Sequence, residues 1–221
     1  MNQNSTFIKI LTWIAAAGCF LMSVFCLLQV VISDLQLMIK GLVFFNHVAV
    51  IVLFVVLIGM GVCVLTKNLK AVFAASCLFT AFTIVVNVHS LVECKNNFPS
   101  ALDAHTARFI GIIVNALPWL AFSLILLLAI RKVTAVKYIW FVPAVLSVVK
   151  VVMELIMQGD GSRFPSYTED KATLVVEFVL WVVFFILEGI WIRSHFSQKI
   201  SENDEIPHSV SKKRPLSDPI E

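Results

Sequence analysis

The sequence contains few charged residues for its length. Of its 221 residues only 14% are Asp, Glu, Lys or Arg, whereas 59% are hydrophobic, and the mean hydropathy is +0.93. A soluble domain has about 25% charged and roughly 45–50% apolar residues. A chain with so few polar residues cannot cover a hydrophobic core in water, and it is too apolar to remain disordered. The composition therefore excludes both classes and predicts an integral membrane protein.

Cysteine pairs and catalytic motifs are also scarce. The five cysteines show no C-x-x-C spacing, so neither a disulfide framework nor a metal site is implied. The motifs HExxH and GxSxG, which mark many metalloproteases and hydrolases, do not occur. We expect no catalytic residue, no metal and no cofactor. A haem held by His47 and His89 is an alternative that the expected helix directions disfavour.

Six long apolar runs dominate the chain. A helix needs about 20 mostly apolar residues to cross the hydrocarbon core of a bilayer. The six runs that meet this requirement are Phe7–Ile32, Gly41–Leu65, Ala71–Val92, Phe109–Ile130, Val136–Met157 and Ala172–Ile192. They predict an all-α, polytopic bundle of six transmembrane helices within residues 1–196, with kinks at Pro118 and Pro143. Residues 197–221 are polar and predict a disordered tail.

Basic residues are distributed unevenly between the two ends of the predicted spans. Eleven of the 17 Lys and Arg residues fall at the end that includes both termini, and six fall at the other. The short loops at the first end carry no acid, whereas those at the second also carry acids such as Asp34, Glu93 and Asp103. The positive-inside rule then places both termini in the cytoplasm of a cell-membrane protein. There is no basic surface of the kind that binds nucleic acid.

Small residues form a stripe along the first span. The stripe consists of Thr12, Ala15, Ala16, Cys19, Ser23 and Cys26, at spacings of three and four. Small side chains let two helices approach closely in lipid, where the hydrophobic effect does not drive association. We interpret the stripe as a packing seam within the bundle. The alternative is a docking face for a membrane-protein partner.

Polar residues of several spans lie at similar depth near the outer side. A charge inside the bilayer costs from about 2.5 kcal/mol upward, so such residues usually pair or line a hydrated cavity. Lys150 and Glu154 are four residues apart and can pair within one helix. We predict an outward-facing pocket for a ligand or ion, formed by Glu154, Glu177, Lys150, Asn87, Asn115, His47 and His89.

Two functional hypotheses follow from this pocket. In the first, the protein binds or transports a small polar solute or ion, with Glu154 and Glu177 as the proton- or cation-responsive groups and Lys150 as their counter-charge. In size and predicted termini the chain is broadly similar to the substrate-binding subunits of energy-coupling factor vitamin transporters, a likeness of architecture. In the second, the polar residues only lock helix packing in a non-enzymatic scaffold, assembly factor or sensor. The lipid bilayer is a partner in either case.

Overall fold

The computed structural model describes residues 3–37, 44–97, 99–100, 102–159 and 171–204, and side chains at 6–28, 51–93, 95–96, 99–100, 102, 105–106, 108–153 and 175–196. Within these ranges the fold is entirely helical. The helices are α1 (Gln3–Leu37), α2 (Phe44–Leu65), α3 (Leu69–Asn97), α4 (Leu102–Ile130), α5 (Val136–Ile139), α6 (Val142–Gly159) and α7 (Lys171–Asp204).

Five stretches of the described chain are long and apolar enough to cross a membrane. They are Thr6–Leu28, Leu69–Glu93, Arg108–Ile130, Val136–Met153 and Val175–Phe196, and α2 adds the shorter apolar segment Ile51–Leu65. Large apolar side chains also cover the outside of the bundle, among them Trp13, which is 67% exposed, and Leu124, which is 54% exposed. An outer surface this apolar suits lipid and not water. The predicted class, a helical multi-pass membrane protein, is confirmed, while six crossings and cytoplasmic termini stay predictions.

The long helices pack as a closed ring in the order α1, α2, α3, α4, α6 and α7, with α7 returning to α1. The centre of the ring is filled by aromatic side chains from three helices. They are Phe79 of α3, Trp119 and Phe122 of α4, and Trp181, Phe184 and Phe185 of α7. Tilted and edge-to-face contacts prevail among these rings, as the aromatic quadrupole favours. The described core is thus packed across the bundle, and we call these six residues the aromatic core.

The stripe of small residues on α1 lies inside the ring. Ala15, Ala16 and Cys19 are fully buried, and Thr12 and Ser23 are nearly so. Gly18 faces Leu187 and Phe184 of α7 at ordinary contact distance. On the other side, Gly61 of α2 approaches Cys19 and Phe20 so closely that an added Cβ would lie 2.9 Å from the Phe20 ring. The packing-seam interpretation is confirmed for the five buried members of the stripe, whereas Cys26 is half-buried.

Two short connections on the predicted cytoplasmic side have the same construction. Lys67 and Lys132 each adopt a left-handed backbone, with φ of 55° and 59°. After α2, the Asn68 and Lys67 amides donate to the carbonyls of Cys63 and Val64. After α4, the Val133 and Lys132 amides donate to Leu128 and Ala129 in the same pattern. Each helix therefore ends in a Schellman motif, with a lysine where glycine is commoner and its charge near the negative end of the helix dipole.

The predicted fifth span is interrupted near its start. The short α5 ends at Ile139, and α6 begins at Val142. Pro143 therefore lies in the first turn of α6, where the missing N–H costs no helical hydrogen bond. The predicted kink within a continuous helix is wrong at Pro143, because the chain breaks just before it. Pro118 does lie inside a continuous helix, α4.

The last helix extends further than predicted. The polar tail was expected to begin at residue 197, but α7 continues to Asp204. The first two turns of the predicted disordered tail are thus helical. Residues 205–221 lie outside the described part of the chain.

Candidate functional site

The charged pair of the predicted outer half joins α6 and α7. Lys150 Nζ lies 3.3 Å from Glu177 Oε1, and the two side chains are 17% and 22% exposed. The indole Nε1 of Trp181, one turn along α7, donates to the same oxygen at 3.2 Å. An ammonium group and an indole from two helices therefore hold one carboxylate oxygen. Such charge-assisted hydrogen bonds are stronger than neutral ones.

Of the two acids that the sequence offers Lys150 as partners, the described contact is with Glu177 on the neighbouring helix. The pairing with Glu154 within α6 stays a prediction. Glu154 itself is helical in α6, but its side chain lies outside the described residues, as does that of His47 in α2. The ion pair therefore fixes α7 against α6 and does more than stabilise a single helix.

A ladder of polar contacts connects α3 and α4. Ser76 and Ser123 share a hydrogen bond of 3.0 Å toward the predicted cytoplasmic end of the two helices. Nearer the predicted outer end, Asn115 Nδ2 donates to Asn87 Oδ1 at 3.4 Å, and Asn87 Nδ2 donates to the Thr83 carbonyl at 2.7 Å. At the end of the ladder Arg108 donates to Ser90. Asn87, which is half-buried, thus has a hydrogen-bond partner on another helix.

His89 lies apart from this ladder, although it is on the same helix. Its Nδ1 is 3.8 Å from the Glu93 carboxylate one turn along, and the side chains of this pair are 35% and 56% exposed. Because His89 projects roughly opposite Asn87 around the helix, the described structure does not bring it to the predicted pocket. A pairing of His89 with His47 across a haem gains no support from this arrangement.

The Lys150–Glu177 pair adjoins the aromatic core through Trp181. Trp181, which contacts Glu177, has its ring centroid 5.5 Å from that of Trp119 and 6.2 Å from that of Phe79. Cys26 of α1 lies within electrostatic range of both Lys150 and Glu177. We call Lys150, Glu177, Trp181, Asn87 and Asn115 the outer polar cluster. The indole N–H of Trp181 was not predicted to take part, although its place four residues after Glu177 could have indicated it.

A second acidic residue was left out of the predicted site. Glu188 is fully buried near the middle of α7, and the thiol of Cys19 on α1 donates to its Oε1 at 3.2 Å. Its Oε2 and the Nε1 of Trp191 are buried polar atoms without a hydrogen-bond partner among the described residues. The signal was present in the sequence, because an acid within a continuous apolar run is by default a candidate functional residue.

The side chains described include no group of three His, Cys, Asp or Glu residues that could hold a metal ion. Comparisons with protein families, with curated proteins and with solved structures find no match to this chain. The fold defines the class, a multi-pass helical membrane protein, and any more specific function has to be argued from the outer polar cluster and from Glu188.

Proposed function

We propose that the protein binds a small polar solute or ion at the outer polar cluster and serves in its uptake or detection. The observation that carries this proposal is the Lys150–Glu177 pair. It holds two opposite charges on different helices within the predicted membrane span, and neither side chain is sealed from the surface. A charged pair at this depth is costly, and apolar residues of similar volume often stabilise a fold equally well. The pair is therefore better explained by a task that needs charge.

The neighbourhood of the pair supports a polar ligand. The Asn87 and Asn115 side chains carry donors and acceptors. Trp119 and Trp181, which follow Asn115 and Glu177 by four residues each, have ring centroids 5.5 Å apart. Ligand sites commonly combine apolar aromatic walls with a few polar groups that set orientation. A ligand with an anionic group would compete for Lys150, and a cationic one would compete for Glu177. Either exchange would loosen the contact between α6 and α7, which offers a means of coupling binding to helix movement.

The test is the thermal unfolding midpoint of the purified protein, measured with and without sodium, potassium, magnesium and the common amino acids. A ligand that binds only the folded state raises this midpoint in a saturable manner. We expect at least one addition to do so for the unmodified chain and to lose its effect in Glu177→Gln. The matched control is Glu93→Gln, which removes an exposed acid of α3 and should retain the response.

A second arm of the same experiment tests whether the charges are coupled. Lys150→Met leaves the Glu177 carboxylate without its cation, and we expect a loss of about 1–3 kcal/mol in stability. The double variant Lys150→Met with Glu177→Gln should recover most of that loss. Lys70→Met, at an exposed lysine, is the control. If Lys150→Met is as harmless as Lys70→Met, the coupled site does not exist.

The second candidate function is a static membrane scaffold or sensor. It is favoured by the aromatic core, in which Phe79 and Trp119 lie only 4.0 Å apart between ring centroids and join α3 to α4. A scaffold predicts that no solute shifts the midpoint, even if the double variant recovers the stability lost in Lys150→Met. If the Lys150 and Glu177 variants are coupled in stability but no solute raises the unfolding midpoint, the scaffold is the better explanation.

A further inference from the structure

Glu188 lies in a pocket of side chains that offers its carboxyl group little polar contact. Its side chain is fully buried, and the described hydrogen bond to it comes from the weakly polar thiol of Cys19. Within the described chain Oε2 has no hydrogen-bond partner, and neither has Nε1 of Trp191, which is one turn away on the same face of α7 and also buried. A buried acceptor and a buried donor, one turn apart on α7, thus lack partners among the described residues. Such orphaned atoms are rare in folded proteins and call for an explanation.

The charges around Glu188 do not balance an ionised carboxylate. Among the described titratable groups of the helices packed against α7, the Cys19 thiol of α1 contacts the carboxyl group directly, and Cys63 of α2 lies near Cys19. His195 lies two turns further along α7 itself. Lys150 of α6 is engaged with Glu177, and Arg193 is exposed, its guanidinium 6.0 Å from the centroid of the Trp140 ring. Burial of an uncompensated charge costs several kcal/mol. The site therefore suits a carboxyl group that carries a proton.

The neighbours of Glu188 also discriminate between a proton and a metal cation. Sodium and similar ions bind through several oxygen atoms of carbonyl, carboxylate or hydroxyl groups. The described group in contact with the carboxyl is the Cys19 thiol, and the Trp191 indole N–H follows one turn along α7; both are hydrogen-bond donors. Donors do not coordinate a cation, whereas they can accompany a carboxyl group through gain and loss of a proton.

A row of polar side chains leads from Glu188 toward the end of α7. Trp191 follows Glu188 by three residues and His195 follows it by seven, so the three share one helix face. The rings of Trp191 and His195 are stacked, with centroids 5.8 Å apart and planes inclined by 15°. His195 is 8% exposed and lies near the C-terminal limit of the apolar stretch Val175–Phe196. Imidazole is the side chain best suited to pass protons near neutral pH.

We propose that Glu188 is an internal proton-binding site that exchanges its proton with the solvent at the C-terminal, predicted cytoplasmic end of α7 along the face of Trp191 and His195. The proton moves from the carboxyl oxygen to solvent at high pH and returns at low pH, and no other bond changes. This site is separate from the outer polar cluster and does not depend on the function proposed for it. It gives the protein a means of responding to proton concentration on one side of the membrane.

Infrared spectroscopy of the full-length protein in lipid vesicles tests this proposal, because a neutral carboxyl group has a carbonyl band that a carboxylate lacks. We expect the difference spectrum between the unmodified chain and Glu188→Gln to contain this band. The band should shift on transfer to D2O and disappear as the pH is raised. Glu177→Gln, which removes the acid of the outer polar cluster, should leave it unchanged. His195→Leu should keep the band but slow its shift in D2O.

Each contrary result overturns the proposal. If the band is missing at every pH, Glu188 is ionised and needs a cation. If it is present but neither shifts in D2O nor responds to pH, the acid is a permanently neutral packing residue. If sodium removes the band at constant pH, the site binds a metal cation. Glu188→Gln keeps an oxygen that can accept from the Cys19 thiol, so we expect this variant to fold. If Glu188→Gln does not fold, Glu188→Asp, which displaces the carbonyl band, replaces it in the difference spectrum.

Discussion

Gly189 determines how closely the break between α5 and α6 approaches α7. A Cβ atom at this position would lie 2.6 Å from the carbonyl oxygen of Trp140 and 2.8 Å from its ring. Real Cβ atoms do not approach backbone oxygen so closely, and a carbonyl cannot move aside as a flexible side chain can. A glycine is therefore required here by the close approach of two backbones, and not by an unusual φ angle.

We expect Gly189→Ala to lower stability by about 1–3 kcal/mol, the usual cost of forcing extra atoms into a packed site. The measurement is the unfolding midpoint of the purified variant. Gly111→Ala in α4 is the control, since nothing in the described chain lies within 4 Å of a Cβ there and alanine favours the helix. Equal midpoints for the two variants would show that the Trp140 segment yields easily.

At the scale of single residues, the sequence identified most residues of the outer polar cluster. It did not decide which acid Lys150 contacts. Lys150 has one candidate acid in its own helix, Glu154, and another on a different helix, Glu177. A spacing of i, i+4 is visible in a sequence, whereas contact with a residue on another helix is not. Asn87 was different, because an amide within a membrane span needs a hydrogen-bond partner and Asn115, its partner in the ladder, was already among the candidates. Glu188 is visible in the sequence as an acid within an apolar run, but its thiol partner on α1, 169 residues away in sequence, is not.

Among the helices, α1 shows how side-chain size alone predicts packing. Adjacent residues of α1 differ sharply, since Ala16 is buried against the bundle whereas Ala17 is exposed on the outer surface. A residue periodicity of three and four is sufficient to separate these two faces of the helix. The same substitution can therefore be made at Ala16 and at Ala17, so that the two variants differ only in the face of the helix that is enlarged.

We expect Ala16→Leu to destabilise the bundle by about 1–3 kcal/mol, because the added carbons have no space between α1 and its neighbours. Ala17→Leu adds the same atoms toward lipid and should leave the unfolding midpoint nearly unchanged. A gel-filtration profile of each variant shows whether the fold persists. If Ala16→Leu leaves the midpoint unchanged and Ala17→Leu lowers it, the outer face of α1 is itself an interface.

The break between α5 and α6 was beyond the reach of the sequence pattern. Hydropathy continues without interruption from Val136 onward, and Pro143 alone indicated a disturbance. A proline is compatible with a kink within a helix or with a new helix start, and local sequence does not choose between them. Trp140 contacts Gly189 only when α7 is packed against this segment. In the structure this contact occurs together with a new helix start at Val142.

For the whole molecule, orientation in the membrane is the property that most affects both proposals. Both short loops with left-handed lysines, at Lys67 and Lys132, lie on the side that the positive-inside rule assigns to the cytoplasm. The outer polar cluster then faces outward, and His195 faces inward. Reversal of the chain would exchange the compartments that the two sites contact.

Membrane-impermeant thiol labelling of cells checks this orientation. We expect cysteines introduced at Asn97 and Ser162 to be labelled from outside above the level of the parent chain. Those introduced at Lys67 and Arg131 should react only after the membrane is opened. Labelling of the second pair in intact cells would invert the assignment, so that the outer polar cluster faces the cytoplasm and Glu188 exchanges protons with the outside.

The sequence by itself determined that this chain is a helical membrane protein, where most of its helices lie and which face of α1 packs inward. These properties follow from composition and from local periodicity, because each apolar run must satisfy its own backbone hydrogen bonds in lipid. Only the tertiary structure decided the closed ring, the aromatic core, the Lys150–Glu177 pair and the burial of Glu188 beside Cys19. These depend on which helices become neighbours, and that is settled by side-chain packing between residues far apart in the chain.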